Sequence, residues 1–91
     1  MTKSQLVEHV AKSTGVTKMD TRMMVDAVFD AITEELKTGG DVKLSGFGAF
    51  RTTVIDEHDG LLPSGETIKM GKNKRIRFKP SKEMRDKVNK E

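Results

Sequence analysis

The sequence predicts an α+β fold: a helical base, a three-stranded antiparallel sheet extended into a β-hairpin arm, and a short C-terminal helix. Three observations lead there. Through residues 1–40 apolar side chains recur at helical spacing in two segments, each bounded by cap signals. At Val42 the period changes to two, with turn signals at Ser45-Gly46 and at Pro63 to Gly65. After Pro80, Ser81 opens a segment with Glu83 and Asp86 early and Lys87 and Lys90 late, a charge order that suits a helix dipole.

The first helical segment, "TKSQLVEHVAKSTG", starts with Thr2 and Gln5 at capping-box spacing, gathers Leu6, Val7, Val10 and Ala11 on one face, and ends at Gly15. The second, "TKMDTRMMVDAVFDAITEELKTGG", starts at Thr17 with Asp20 in its first turn and ends at Gly39-Gly40. Its stripe of Met24, Val25, Val28, Phe29, Ile32 and Leu36 is widened by Met19, Met23, Ala27 and Ala31. One small helix cannot cover a stripe of that width, which predicts a second subunit. Length agrees: 91 residues with 34% apolar content bury only a modest core alone.

In "DVKLSGFGAFRTTVI", Val42 and Leu44 alternate, the chain turns at Ser45-Gly46, and a strand resumes through Phe47 and Ala49 into the β-favouring run Thr52 to Ile55. Gly46 and Gly48 flank Phe47, and the expectation is a tight turn that buries this ring. "TTVIDEHDG" and "ETIKM" should pair as the legs of a hairpin around "PSG". Gly71 interrupts the second leg, and "KRIRFK" then reads as a strand with Ile76 and Phe78 buried and the other face basic. The expected organisation is one domain over 1–91. It comprises a dimerisation base at 1–40, a sheet at 41–52 and 72–80, an arm at 53–71 and a last helix at 81–90.

Composition removes several classes of function. With no cysteine there is neither a disulfide framework nor a thiolate metal site, and His9 and His58 stand far apart on differently patterned segments. "DEHD" at Asp56 to Asp59 is a poor metal site, because neighbouring strand residues point to opposite faces. No nucleophile and base arrangement, Walker-type loop or acidic metal cluster is present in the pattern, so neither an enzyme nor a cofactor is expected. No long apolar run marks a membrane span, and the N-terminus is helical rather than signal-like, which predicts a cytoplasmic protein.

Charge is concentrated at one end. Residues 1–50 carry six Lys/Arg and seven Asp/Glu, 51–68 carry one and four, and 69–91 carry ten and three. A basic block of this kind suits a polyanion, although solvated tails can carry one too. Its pattern decides between them: in "KNKRIRFKPSK", Arg75, Arg77 and Lys79 share one face of a strand, Ile76 and Phe78 the other, and Lys72, Lys74 and Lys82 flank them. A disordered tail needs no such alternation, so the stripe points to phosphate binding. Single-strand recognition by stacking is disfavoured without Trp or Tyr, and the four Phe occupy apolar-periodic positions suited to a core. No recognition-helix pattern of Arg, Asn and Gln suggests base readout.

Two helices, "VKLSGFGAF", a long hairpin with proline near its tip and "RFKPSKEMRDKV", in that order, resemble the HU/IHF family of bacterial DNA-bending proteins over essentially the whole chain. The resemblance implies an intertwined dimer, of identical or related subunits, with a helical base. Its sheet would form a saddle on double-stranded DNA in the nucleoid, and its two arms would reach round the minor groove, each inserting a proline between base pairs. In this resemblance Pro63 matches the intercalating proline, and Arg75, Arg77, Lys79 and Lys82 match the basic saddle and the start of the last helix; with Arg51, Lys72 and Lys74 from the chain's own basic pattern they are the expected DNA contacts, and Leu62 with Pro63 is the candidate wedge.

The arm departs from the family pattern. Where relatives place cations and an Arg-Asn before the proline, this chain has Thr53, Ile55, His58, Asp59, Leu61 and Leu62, and "PSG" is one residue shorter than the usual Pro-X-X-Gly turn. Asp56, Glu57 and Asp59 would be repelled by phosphates. The tip "GLLPSGE" is therefore open to two functional readings: an apolar wedge on a weakly gripping arm, or a contact for a protein partner. An arm whose leucines pack only on its own legs is the third.

Overall fold

A computed structural model describes residues 1–55, 58–61, 63–70 and 73–90 of the chain. Two compact units, Met1–Glu34 and Glu35–Glu91, are taken separately.

In the first unit, helix α1 (Lys3–Thr14) starts at the expected capping box: Thr2 Oγ1 accepts the Gln5 N–H at 3.2 Å, and Gln5 Oε1 accepts the Thr2 N–H at 2.8 Å. It ends at Gly15, whose N–H returns to the Ala11 carbonyl at 2.9 Å. Helix α2 (Lys18–Lys37) is capped by Thr17, which accepts the Asp20 N–H at 3.2 Å. Val7 and Ala11 are buried, and Thr21, at 0% exposure, donates its hydroxyl proton to the Thr17 carbonyl at 2.8 Å, so its burial leaves no polar atom unpaired. Glu8 lies 3.6 Å from Lys12 and 3.9 Å from Lys18, and Lys3 pairs with Asp26. All of these pairs are solvent-exposed and contribute little to stability. Leu6, Val10, Val16, Met24, Val25 and Phe29 line an apolar groove of about 530 Å³. Of the wide stripe read from the sequence, Leu36 is buried, but Met19, Met23, Met24, Val28 and Phe29 are left exposed among the described residues.

The second unit begins with the end of α2. Gly39 N–H reaches the Leu36 carbonyl at 3.0 Å and Gly40 N–H the Glu35 carbonyl at 3.1 Å, the paired bonds of a Schellman motif. Strand β1 (Val42–Leu44) then turns through a bond from Phe47 N–H to the Leu44 carbonyl at 3.0 Å, with Gly46 at φ 77°, the positive value that a type II turn requires at its third residue. Strand β2 (Gly48–Ile55) pairs antiparallel with β1 on one side and with β5 (Asn73–Pro80) on the other. Between them, β3 (His58–Leu61) pairs with β4 (Thr67–Met70) in a separate ladder. Ser81 accepts the Met84 N–H at 3.0 Å and starts helix α3 (Lys82–Asn89), and Ser81 N–H donates to the Phe47 carbonyl at 2.9 Å, holding the helix start against the β1–β2 turn.

Two expectations are corrected. The leg "TTVIDEHDG" does not pair with "ETIKM" throughout: Thr52 to Ile55 pair with Ile76 to Asn73, and His58 to Leu61 pair with Met70 to Thr67. Ile55↔Asn73 and His58↔Met70 are three residues apart on both strands, so the two ladders are in phase, and the described part of the sheet's ladder takes in the β-branched run Thr52 to Ile55. The second correction concerns burial. Ile76 is 63% exposed, Phe78 41% and Phe47 45%, although all three were expected inside. Phe78 stacks on Phe50 and Phe47, with ring centroids 4.8 and 5.5 Å away and tilted, but no layer of this chain covers the outer side of that cluster among the described residues. Alternation identifies a shared face without supplying its cover.

Gly48 is the tightest point of the sheet. A Cβ there would stand 2.6 Å from the Lys79 carbonyl oxygen and 2.7 Å from two atoms of the Phe78 ring. Gly48→Ala is therefore expected to force β2 and β5 apart and to cost about 1 to 3 kcal/mol, the usual range for overpacking. A thermal melt should show a loss of roughly 5 to 20 °C. An unchanged melting temperature would mean that the ring and strand move aside freely.

Candidate nucleic-acid interface

Residues directly opposite one another in an antiparallel pair project to the same face, and the face alternates along each strand. The register places Ala49 opposite Lys79, Arg51 opposite Arg77 and Thr53 opposite Arg75, so Arg51, Arg75, Arg77 and Lys79 share one face of the sheet. Lys43, opposite Ala49 on β1, joins them there. The small Ala49 between Lys43 and Lys79 leaves the floor low, and an open depression is lined by Ala49, Arg51, Arg77 and Lys79. A second runs from Lys43 past Ser45 to Lys79, Lys82 and Arg85, where the sheet meets the start of α3.

All of these cations are exposed, and among the described residues the ion pairs are confined to α1 and α2. Their guanidinium and ammonium donors therefore point to solvent uncompensated. Arg51 directly opposite Arg77 is a like-charge cross-strand pair, which disfavours the sheet. A polyanion laid across the face would turn that repulsion into attraction, and a guanidinium fork matches phosphate oxygens in pairs.

Of the residues expected from the sequence, the structure brings Arg51, Arg75, Arg77 and Lys79 together and sets Lys82 at the end of their row. Lys74 falls on the opposite face with Ile76 and Phe78, where its ammonium donates to the Lys37 carbonyl. Pro63 is exposed in the turn between β3 and β4, while Lys72 and Leu62 lie outside the described residues, as do Asp56 and Glu57. Lys43 and Arg85 were missed. Arg85 could have been found from its three-residue spacing after Lys82, which puts both on one side of α3. Lys43 depends on the β1–β2 register.

The family model for bacterial DNA-binding protein matches residues 1–89. The chain belongs to this family. Among its relatives, DNA-binding protein HU-1 of Halalkalibacterium halodurans is 41% identical over 90 residues, spanning 98% of this chain and 100% of that one. HU of Thermus thermophilus is 40% identical over 91 residues, covering 99% and 94% of the two chains. The fold agrees as well: HU of Anabaena in a cocrystal with DNA superposes with a TM-score of 0.83 at 30% identity, over 98% of both chains. The α+β fold of this HU-family member is therefore that of an HU protein.

No helix among the described residues is long and apolar enough to cross a membrane. Nor does any group of three His, Asp or Glu among them have the spacing to hold a metal ion.

Proposed function

We propose that the chain acts as a dimer that binds duplex DNA without strong sequence preference, as a non-enzymatic architectural protein of the nucleoid. The observation that carries this reading is the alignment of Arg51, Arg75, Arg77 and Lys79 on one sheet face, continued by Lys43, Lys82 and Arg85, with no ion-pair partner among the described residues. Phosphate contacts of this kind supply affinity and set orientation, but they carry no sequence information. The apolar groove between α1 and α2 supplies the surface for a second copy or a related chain.

The arm is assigned a weaker part. Its sequence replaces cations with Asp56, Glu57 and Asp59, so it should add few phosphate contacts, and Pro63 with Leu62 should wedge base pairs less often than a cation-held arm would. In a resonance-energy-transfer assay on an end-labelled duplex, the end-to-end distance should shorten less than with a relative whose arm is cationic, while affinities for duplexes of different composition stay within about threefold. A sharp bend would contradict the weak arm, and strong sequence preference would contradict backbone recognition. The acidic, leucine-tipped sequence also supports a second reading, in which the arm binds protein: deleting 56–70 would then remove a higher assembly and leave DNA affinity intact.

A further inference from the structure

Lys74 belongs to the most basic stretch of the chain, yet among the described residues it is the cation there that the register turns away from Arg75, Arg77 and Lys79. Its neighbours explain why that matters. Strand β1 pairs with β2 only up to Val42↔Phe50, so among the described residues β2 and β5 have only each other as pairing partners from Arg51 and Arg77 outward. A two-stranded ribbon is marginal on its own. On the underside of its first rungs, Thr52 Oγ1 lies 3.2 Å from the carbonyl oxygens of both Leu36 and Gly40 and shares its proton between them. Two rungs further out, Lys74, opposite Val54, donates to the carbonyl of Lys37, the last residue of α2.

The end of a helix leaves carbonyls without helical N–H partners and carries partial negative charge. The Glu35 and Leu36 carbonyls are taken by the two glycine N–H groups. Lys37 is taken by the ammonium of Lys74. Thus one side chain from each strand clamps the root of the ribbon to the last turn of α2, while Arg51, Arg75 and Arg77 project from its other side. We infer that Lys74 is a positioning residue: its ammonium docks the ribbon root on the C-terminus of α2 and thereby sets the direction in which the phosphate-facing arginines are presented, without itself contacting phosphate. The docking stands on the contacts alone, and only its consequence for the arginines rests on the proposed DNA-binding role.

The test uses the full chain with Lys74→Met, which keeps the length and removes charge and donor, and Lys74→Arg, which keeps both. Amide hydrogen exchange without DNA should accelerate in K74M at residues 51–55 and 73–77 by roughly two- to fivefold, the factor equivalent to one charge at a helix end. Exchange at 42–50 should not change, and K74R should restore the wild-type pattern. In duplex titrations K74M should bind roughly two- to fivefold more weakly, because its arginines are correctly presented for less of the time, while the dependence of log affinity on log salt keeps its wild-type slope, because the bound state retains every phosphate contact. Unaltered exchange in the ribbon would overturn the docking role. A slope reduced by about 0.9 would overturn the inference differently, by showing Lys74 to be a phosphate ligand. If neither protein bound DNA, the exchange result would still decide the docking and only the proposed function would fail.

Discussion

Replacing Arg75 and Arg77 together with glutamate is expected to weaken duplex binding at 0.1 M salt by roughly a hundred- to ten-thousandfold, with the fold unaltered. The magnitude follows from losing two charge-assisted hydrogen bonds at about 1.5 to 3 kcal/mol each, and the introduced carboxylates would add repulsion from phosphate. Stability should hold because both side chains are exposed and free of ion-pair partners among the described residues. It should even improve slightly, since Arg77→Glu converts the like-charge pair with Arg51 into an opposite-charge pair, a change of about 0.2 to 1 kcal/mol. Fluorescence anisotropy gives the affinity and a thermal melt the stability. Wild-type affinity in the double variant would remove the sheet face from the DNA-binding surface.

The second large effect concerns the apolar groove. Among the described residues the buried apolar side chains are Val7, Ala11 and Leu36, too few to stabilise a chain of this length. Met24, Val28 and Phe29 remain about half exposed along the groove. Burying a Phe side chain contributes about 1.5 to 3 kcal/mol, and in a symmetric dimer each such contact counts twice. Phe29→Asp places a carboxylate there instead, at a cost that should leave the protein unfolded at micromolar concentration and 25 °C. The wild type should melt at a temperature that rises with protein concentration, because only the folded state is dimeric. A stable monomer from Phe29→Asp, together with a concentration-independent melt of the wild type, would show that one chain suffices.

Much of the fold is legible because its signals are local. Thr2 and Gln5, Thr17 and Asp20, and Ser81 act within one turn of themselves, so spacing alone identifies the helix starts that the structure shows. The basic stripe is legible for a similar reason: strand alternation fixes that Arg75, Arg77 and Lys79 share a face. What the sequence conceals is set at a distance. Joining Lys43 and Arg51 to that face needs the register imposed by the Leu44–Phe47 turn and the β2–β5 ladder. The place of Lys74 needs the end of α2, brought beside it from 37 residues earlier in the chain. Ile76 and Phe78 show the opposite limit: alternation sets them on one face, yet no element of this chain covers them among the described residues.

On the proposed function, the uncompensated cationic sheet face binds duplex DNA through its phosphates. That binding is tested most directly by fluorescence anisotropy of a labelled random-sequence duplex titrated with the protein at several salt concentrations. Four to eight phosphate contacts predict a slope of log affinity against log salt between about −4 and −7, the same for different sequences. No binding at low salt, or binding whose affinity is indifferent to salt, would contradict it.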